Sequence, residues 1–205
     1  MTDALCFALD GVVVHRTRSD ADILRDVFAA HEIDPSDEVV TTARESFRDA
    51  FAGLEPDPYR QSMAAAVSAA DAADPDPDAL VATLRERTYD GTTVPEAARE
   101  SLAGLAEENA LAVITNGTRA WQAGKLDHHC LREHFDAVVA SYDAGAHVPD
   151  AAPFDRLRER VAADEYVMVG DADDIAGARA AGFVPIHYEH DSAEPDLWAS
   201  LDALL

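Results

Sequence analysis

The amino-acid sequence predicts an α/β fold: a doubly wound parallel sheet whose chain is interrupted by an inserted all-helical domain. From residue 94 onward, short apolar runs alternate with segments of helical periodicity, which is the pattern of parallel strands joined by helical crossovers. From residue 20 to about residue 90 the periodicity is helical throughout. We therefore expect a Rossmann-like core built from residues 1–15 and 92–205, with a helical domain at residues 16–91.

The first element is a short buried strand at residues 5–9. Its residues are all apolar, and the Asp10-Gly11 pair that follows is a turn signal that ends the strand. A connector at residues 12–19 then leads to the first helix. Open α/β sheets bind ligands at the carboxyl ends of their parallel strands, so a polar residue directly after this strand indicates a site.

The inserted domain is predicted as four helices. Apolar residues recur at helical spacing in the first two, and Asp34-Pro35-Ser36 opens the second with a capping residue and an early proline. An alanine-rich helix and a last short helix follow. We expect these helices around residues 23–28, 39–51, 63–73 and 79–87, with breaks at residues 55–58 and 74–77.

The second part of the core alternates between helices and strands. Four further buried strands are expected at residues 111–114, 137–140, 166–169 and 184–187. The helices before, between and after them are expected at residues 95–107, 119–126, 154–161, 175–181 and 197–204. Pro95 lies just inside the start of one helix and Gly182 just past the end of another, as these residues commonly do.

The chain is strongly acidic. It has 40 Asp and Glu against 16 Lys and Arg, a formal net charge of -24, and Lys125 is its only lysine. Such a surface repels phosphate backbones and anionic lipids, so we expect neither nucleic acid nor a membrane as a partner, while a protein partner stays open. Excess acid with scarce lysine and abundant alanine predicts a halophilic protein, because concentrated salt screens this self-repulsion.

Targeting and redox signals are weak. No apolar run approaches the roughly 20 residues that a membrane helix needs. The N-terminus has no basic segment followed by an apolar one, so we expect a cytoplasmic protein. Cys6 and Cys130 are the two cysteines, too few for a disulfide framework.

Polar residues follow several of the predicted core strands. Asp10 follows the first, Thr115-Asn116-Gly117 the second, Val148-Pro149-Asp150 lies beyond the third, and Asp171 with Asp174 follows the fourth. The carboxyl ends of parallel strands share one edge of a sheet, so these segments are expected to meet there.

These segments resemble the motifs of the haloacid dehalogenase-like hydrolases. The family's first motif is an apolar strand followed by Asp-x-Asp-Gly, and Asp10-Gly11 matches its second half. Thr115 matches the hydroxyl residue of the second motif, and Gly170-Asp171 with Asp174 resembles the fourth, although the interval between its two acids is shorter here. Further matches are Gln122, Lys125-Leu126, Phe135-Asp136, Ser141, Gly145, Pro149, Asp150 and Phe154. Family members often carry a helical cap after the first strand, which closes over the site.

The resemblance implies a phosphatase-type reaction. In the family one Asp attacks phosphorus, and a second, here Asp10, protonates the leaving group and later activates water. Thr115 and the amides of Asn116 and Gly117 would hold phosphate oxygens. Mg²⁺ would be held by Asp171, Asp174 and the backbone carbonyl of Asp10. Without the resemblance, Asp10 would serve only the turn, and the acids near residue 171 would only favour a helix N-terminus.

Two positions depart from the family pattern. Ala8 stands where the nucleophilic Asp is expected, and Val148 stands where the third motif has a lysine. A methyl group cannot form an acyl-phosphate, and losing the carboxylate of position 8 should weaken any Mg²⁺ site. His147 adjoins the lysine position but starts from a different direction. We expect Lys125 to make a helix or cap contact and not to replace the missing lysine.

Three functional interpretations follow. The first is an active Mg²⁺-dependent phosphatase of small phosphorylated metabolites that uses Asp10 and Asp171. The second is a pseudoenzyme, catalytically impaired or inactive, that keeps the scaffold for binding a phosphorylated metabolite or for regulation. The third is one-step hydrolysis with Asp10 directing water. We favour the second, because the two substitutions remove the nucleophile and the charge that balances it.

Overall fold

The computed structural model describes residues 3–71, 75–188 and 197–204. The chain divides into two compact units. One contains Met1–His15 and Thr93–Leu205, and the other contains Arg16–Thr92. No helix within the described ranges is both long enough and apolar enough to cross a membrane.

The first unit is built on a parallel sheet of five strands. The strands are β1 (Asp3–Ala8), β4 (Ala110–Thr115), β5 (Ala137–Ala140), β6 (Glu165–Gly170) and β7 (Val184–His187). Their order is β5-β4-β1-β6-β7, so β1 is the central strand. The fold class predicted from the sequence is therefore confirmed, as is each of the five predicted core strands.

Helices connect these strands and cover the sheet. They are α5 (Glu96–Glu108), α6 (Arg119–His128), α7 (Ser141–Ala144), α8 (Ala151–Arg160), α9 (Ala172–Ala180) and α10 (Leu197–Leu204). The short helix α7 was not predicted. The others lie where helical periodicity was expected, and α9 begins three residues earlier because Asp171 caps it.

The core of this unit is packed around β1. Every residue from Ala4 to Leu9 is buried, since helices cover both faces of the sheet. The Phe7 ring stacks on Trp198 with 5.6 Å between centroids and meets Phe135 edge-on at 6.4 Å. The side chains of the first strand are therefore used for packing, and the first polar side chain available for a site is that of Asp10, directly after the strand.

The second unit is all-helical. Its helices are α1 (Asp20–Ala30), α2 (Asp37–Ala52), α3 (Pro58–Ala69) and α4 (Pro77–Asp90). The side chains of Ser19, Ser36 and Asp76 cap α1, α2 and α4 by accepting backbone N–H bonds. The expected end of the third helix at residue 73 and the break beginning at Asp74 fall outside the described residues.

A small two-stranded sheet was missed by sequence reasoning. It pairs β2 (His15–Arg16) with β3 (Thr92–Thr93). Each strand has only two residues, which is too short to produce a period-2 pattern, so the connector expected at residues 12–19 contains a strand that its sequence does not indicate.

Candidate active site

The sheet register fixes what surrounds position 8. Ala8 pairs with Ile114 of β4, one residue before Thr115. On the other side Phe7 pairs with Val169 of β6, one residue before Gly170. Ala8, Thr115 and Gly170 therefore end three adjacent strands at the carboxyl edge of the sheet, where open α/β sheets bind ligands.

Asp10 sits in a tight turn directly after β1. The N–H groups of Val13 and Val14 both donate to the carbonyl of Leu9, and the N–H of Gly11 donates to the carbonyl of Val14. Gly11 has φ +85°, in the left-handed region that favours glycine. The Asp-Gly pair thus turns the chain, and the side chain of Asp10 remains available for other contacts.

The carboxylate of Asp10 is paired with Lys125 of α6. The Lys125 Nζ lies 2.7 Å from one carboxylate oxygen and 2.8 Å from the other. The lysine side chain is only 8% exposed, whereas that of Asp10 is 35% exposed. Our expectation that Lys125 makes a helix or cap contact was wrong, since its ammonium group reaches the candidate acid/base of the site.

Gln122 joins Asp10 to the end of β4. Its amide nitrogen lies 3.2 Å from Asp10 Oδ2, 2.8 Å from Thr115 Oγ1 and 2.7 Å from the Asn116 carbonyl oxygen. Gln122 and Lys125 are three residues apart on α6, so both face the same side of the helix. Neither Gln122 nor Lys125 was given a role in the site by the sequence analysis. The signal that could have found them is their three-residue spacing on one helix, together with the fact that Lys125 is the only lysine.

Asn116 and Ser141 hold the loops around Thr115. The Asn116 side chain accepts from the Val148 N–H at 2.9 Å and donates to the Val148 carbonyl at 3.3 Å. The N–H of Gly117 donates to Ser141 Oγ at 2.9 Å. The Gly117 amide, expected to face phosphate, is therefore engaged within the protein, and the side chain of Asn116 acts as a clamp on the loop at Val148.

Asp171 and Asp174 form a capping box at the start of α9. Asp171 Oδ1 accepts from the N–H groups of Asp173 and Asp174, and the N–H of Asp171 donates to Asp174 Oδ2 at 3.1 Å. A Cβ on Gly170 would lie 2.4 Å from that of Asp174, so only glycine leaves room for this arrangement. Burial, and then the charge of Asp171, raise the pKa of Asp174 to about 6.

These residues do not reproduce the magnesium site that the resemblance implies. Position 8 offers a methyl group, and both side-chain oxygens of Asp10 contact Lys125. In the ranges that the structure describes, no three His, Cys, Asp or Glu side chains come together as a metal site. Asp171, Asp174 and the Asp10 carbonyl as magnesium ligands stay a prediction.

The structure thus brings four of the predicted residues into one cluster. Asp10, Thr115, Asn116 and Val148 are linked through the side chains of Gln122 and Asn116. Asp171 and Asp174 start α9 after β6, the strand next to β1. Within the cluster Lys125 is a cation, Thr115 has a hydroxyl proton to donate, and Asp10 is a fixed carboxylate. This chemistry suits holding a polar or anionic ligand.

Comparisons with known proteins agree with the fold. A model of the haloacid dehalogenase-like hydrolase family matches residues 2–182. A protein of Halopiger xanaduensis named ribulose-1,5-bisphosphate 5-phosphatase is 37% identical over 116 residues, which are 53% of this chain and 47% of that protein. The match thus spans about half the length of that relative.

Solved structures extend the similarity over nearly the whole chain. The 2-haloacid dehalogenase from Pseudomonas syringae pv. Tomato DC3000 aligns with a TM-score of 0.69 and 25% identity, covering 96% of this chain and 91% of that one. The magnesium-bound HAD-hydrolase YfnB from Bacillus subtilis aligns with a TM-score of 0.66 and 19% identity, covering 96% and 90%.

Proposed function

Since the chain belongs to the haloacid dehalogenase-like hydrolase family, we propose that it is a catalytically impaired or inactive member of that family. In this proposal the scaffold is kept for binding a small phosphorylated metabolite or for a regulatory role. The observation that carries this proposal is the methyl group of Ala8 at the carboxyl end of the central strand, where the family's nucleophile is expected. A methyl group has no lone pair to attack phosphorus, so the covalent step has no starting atom.

The neighbouring side chains support the same interpretation. Val148 is apolar and buried, so it cannot balance the charge of a phosphoryl group. Asp10 is paired with Lys125. Without a nucleophile no acyl-phosphate forms, so an acid/base at Asp10 has no covalent intermediate to hydrolyse. In a serine protease, removing the covalent nucleophile costs on the order of 10⁶ in kcat, and positioning and electrostatics supply what remains.

A phosphorylated metabolite is the proposed ligand class. The Lys125 ammonium has three N–H donors, two of which reach Asp10, and the Thr115 hydroxyl accepts from Gln122 while keeping its own proton to donate. These are donors that a phosphate oxygen accepts. The similarity to a protein named as a bisphosphate phosphatase supports the same class.

A restored active site tests the proposal. We expect no Mg²⁺-dependent hydrolysis of p-nitrophenyl phosphate by the natural protein in molar potassium chloride, and measurable hydrolysis by the double variant Ala8→Asp with Val148→Lys. The variant regains both the nucleophile and the charge that balances it. The matched control is Ala8→Asn with Val148→Lys, which has nearly the same shape without a nucleophilic carboxylate and should stay inactive. Brisk hydrolysis by the natural protein would refute the proposal.

An active phosphatase that uses Asp10 and Asp171 is the second candidate, and the name of the Halopiger relative favours it. It requires turnover of a substrate such as ribulose 1,5-bisphosphate by the natural protein, with loss of that turnover in Asp10→Asn and in Asp171→Asn. Thermal shift with the same compound, with unphosphorylated ribulose as control, separates binding from turnover. Stabilisation without phosphate release supports the silent scaffold, and no stabilisation counts against a phosphorylated ligand.

A further inference from the structure

We infer that Lys125 is the residue that positions Asp10, and that, with Val148 uncharged, its ammonium group is the positive charge that balances this carboxylate. The inference concerns the same cluster as the proposed function, but it depends only on contacts within the protein. It rests on the geometry of the ion pair, on the role of Gln122 and on the way Val148 is held.

The ion pair is close and largely shielded from water. Lys125 Nζ bridges both carboxylate oxygens of Asp10 at 2.7 and 2.8 Å, and its side chain is 8% exposed. An ammonium group removed from water is strongly unfavourable unless it is paired and hydrogen-bonded. Within the described residues, the hydrogen bonds of the Lys125 ammonium group all go to Asp10, so the lysine side chain depends on this carboxylate for its position.

Gln122 restrains the same carboxylate from a second direction. Its amide nitrogen contacts Asp10 Oδ2 and also Thr115 Oγ1 and the Asn116 carbonyl, which belong to the end of β4. One face of α6 thereby fixes Asp10 with two side chains, one charged and one neutral. Such a double restraint holds a carboxylate in one orientation, as a functional carboxylate requires.

Val148 cannot provide this charge, and its backbone is already occupied. Both its N–H and its carbonyl bond to the Asn116 side chain. Those contacts nevertheless place position 148 in the same cluster, because the Asn116 carbonyl also contacts Gln122, which in turn contacts Asp10. A charged side chain introduced at position 148 would therefore start from a residue that is linked to Asp10 through Asn116 and Gln122.

The formal charges explain why both family residues can be absent together. With Asp at position 8 and Lys at position 148, the four groups at positions 8, 10, 125 and 148 would be two carboxylates and two ammonium groups, which sum to zero. With Ala8 and Val148, Asp10 and Lys125 remain and also sum to zero. Losing either residue alone would leave an unbalanced charge in a partly buried cluster, which is costly.

The single lysine makes a direct spectroscopic test possible. Protein labelled with ¹³C and ¹⁵N only at lysine gives signals from Lys125 alone. We expect an ammonium signal that persists near neutral pH because pairing and burial slow its exchange with water. In Asp10→Asn we expect loss of that signal and a shift of the Lys125 Cε resonance. Absence of the ammonium signal in the natural protein, or identical spectra in Asp10→Asn, would overturn the inference.

Moving the positive charge from position 125 to position 148 distinguishes an electrostatic role of Lys125 from a role in packing. Lys125→Met keeps the length of the side chain and removes its charge, and we expect it to lower the melting temperature. Adding Val148→Lys should restore at least half of that loss, whereas adding Val148→Met should not. A melting temperature unchanged by Lys125→Met, or equal restoration by both additions, would contradict a role in charge. Neither experiment contains a ligand, so a failure of the proposed function to bind phosphorylated compounds would not affect them.

Discussion

At the residue scale, Ala8 separates what the fold needs from what the family's chemistry needs. It is 6% exposed at the end of the central strand, where an alanine packs without difficulty. The covalent step instead requires a carboxylate at that point. Ala8 supplies a methyl group and no carboxylate while the sheet around it is retained, and for this reason fold similarity alone does not establish activity.

Asp174 leads to a prediction about pH. Burial and the charge of Asp171 raise the pKa of Asp174 in the folded protein to about 6, above its ordinary value of 3.8. Below about pH 4 both states hold the proton, and as pH rises towards the folded pKa the unfolded chain releases it first, so this group's contribution to the free energy of unfolding is lost. Relative to Asp174→Asn, the natural protein should lose up to about 3 kcal/mol between pH 4 and 7, less where water screens the carboxylate.

Chemical denaturation of both proteins at several pH values, in buffer with a chelator, measures this difference. Asn keeps an oxygen that can accept the N–H of Asp171, so the helix cap is retained. Asp173→Asn is the matched control, because it removes an acid of the same helical turn whose side chain makes no part of the capping box. Parallel pH profiles for the natural protein and Asp174→Asn would contradict the prediction.

At the scale of elements, α9 approaches the loop at Pro149 so closely that its glycine is required. A Cβ on Gly177 would lie 2.6 Å from the Pro149 carbonyl oxygen and 2.7 Å from the Phe154 ring. Backbone cannot give way as a flexible side chain can, so the helix or the loop would have to move. This packing holds α9 at Gly177 against the loop that follows Val148.

Gly177→Ala should therefore destabilise the protein. Alanine is the better helix former by about 1 kcal/mol, but overpacking costs about 1–3 kcal/mol and should dominate here. Gly104→Ala is the matched control within α5, since nothing lies within 4 Å of its added Cβ. We expect that control to be unchanged or up to about 1 kcal/mol more stable. Urea denaturation measures both, and a stabilising Gly177→Ala would show that the loop moves freely.

At the scale of the whole molecule, charge is the dominant feature. With 40 acidic and 16 basic side chains, most carboxylates have no cation available to them. The described ion pairs are mostly exposed, such as those of Arg25 with Asp22 and Asp37, and exposed pairs contribute little. Repulsion among the remaining acids therefore opposes folding unless dissolved ions screen it.

The melting temperature should consequently rise steeply with salt. Raising potassium chloride from about 0.1 M to 1 M shortens the screening length from about 10 Å to about 3 Å, and we expect folding to be lost in dilute buffer. Thermal melts followed by circular dichroism measure this. Sucrose is the control, because it stabilises by exclusion from the surface without screening charge. Equal melting temperatures in dilute and molar salt would refute the prediction of a halophilic protein.

The sequence by itself determined the fold class, the five core strands and the presence of Ala8 at the position where the resemblance leads us to expect an aspartate. These depend on local periodicity, on turn residues and on the identity of one residue in a motif, all of which can be read along the chain. The two-residue strands were not predictable in this way, because they are too short to show a period.

Only the tertiary structure decided which side chains serve Asp10. Lys125 is 115 residues away from it in sequence, and Val148 is 32 residues from Asn116. Helical spacing predicts the face of α6 on which Lys125 lies, but it does not predict that this face packs against Asp10. That choice follows from the strand order and register, which bring distant strand ends together and leave a buried ammonium group with a carboxylate beside it.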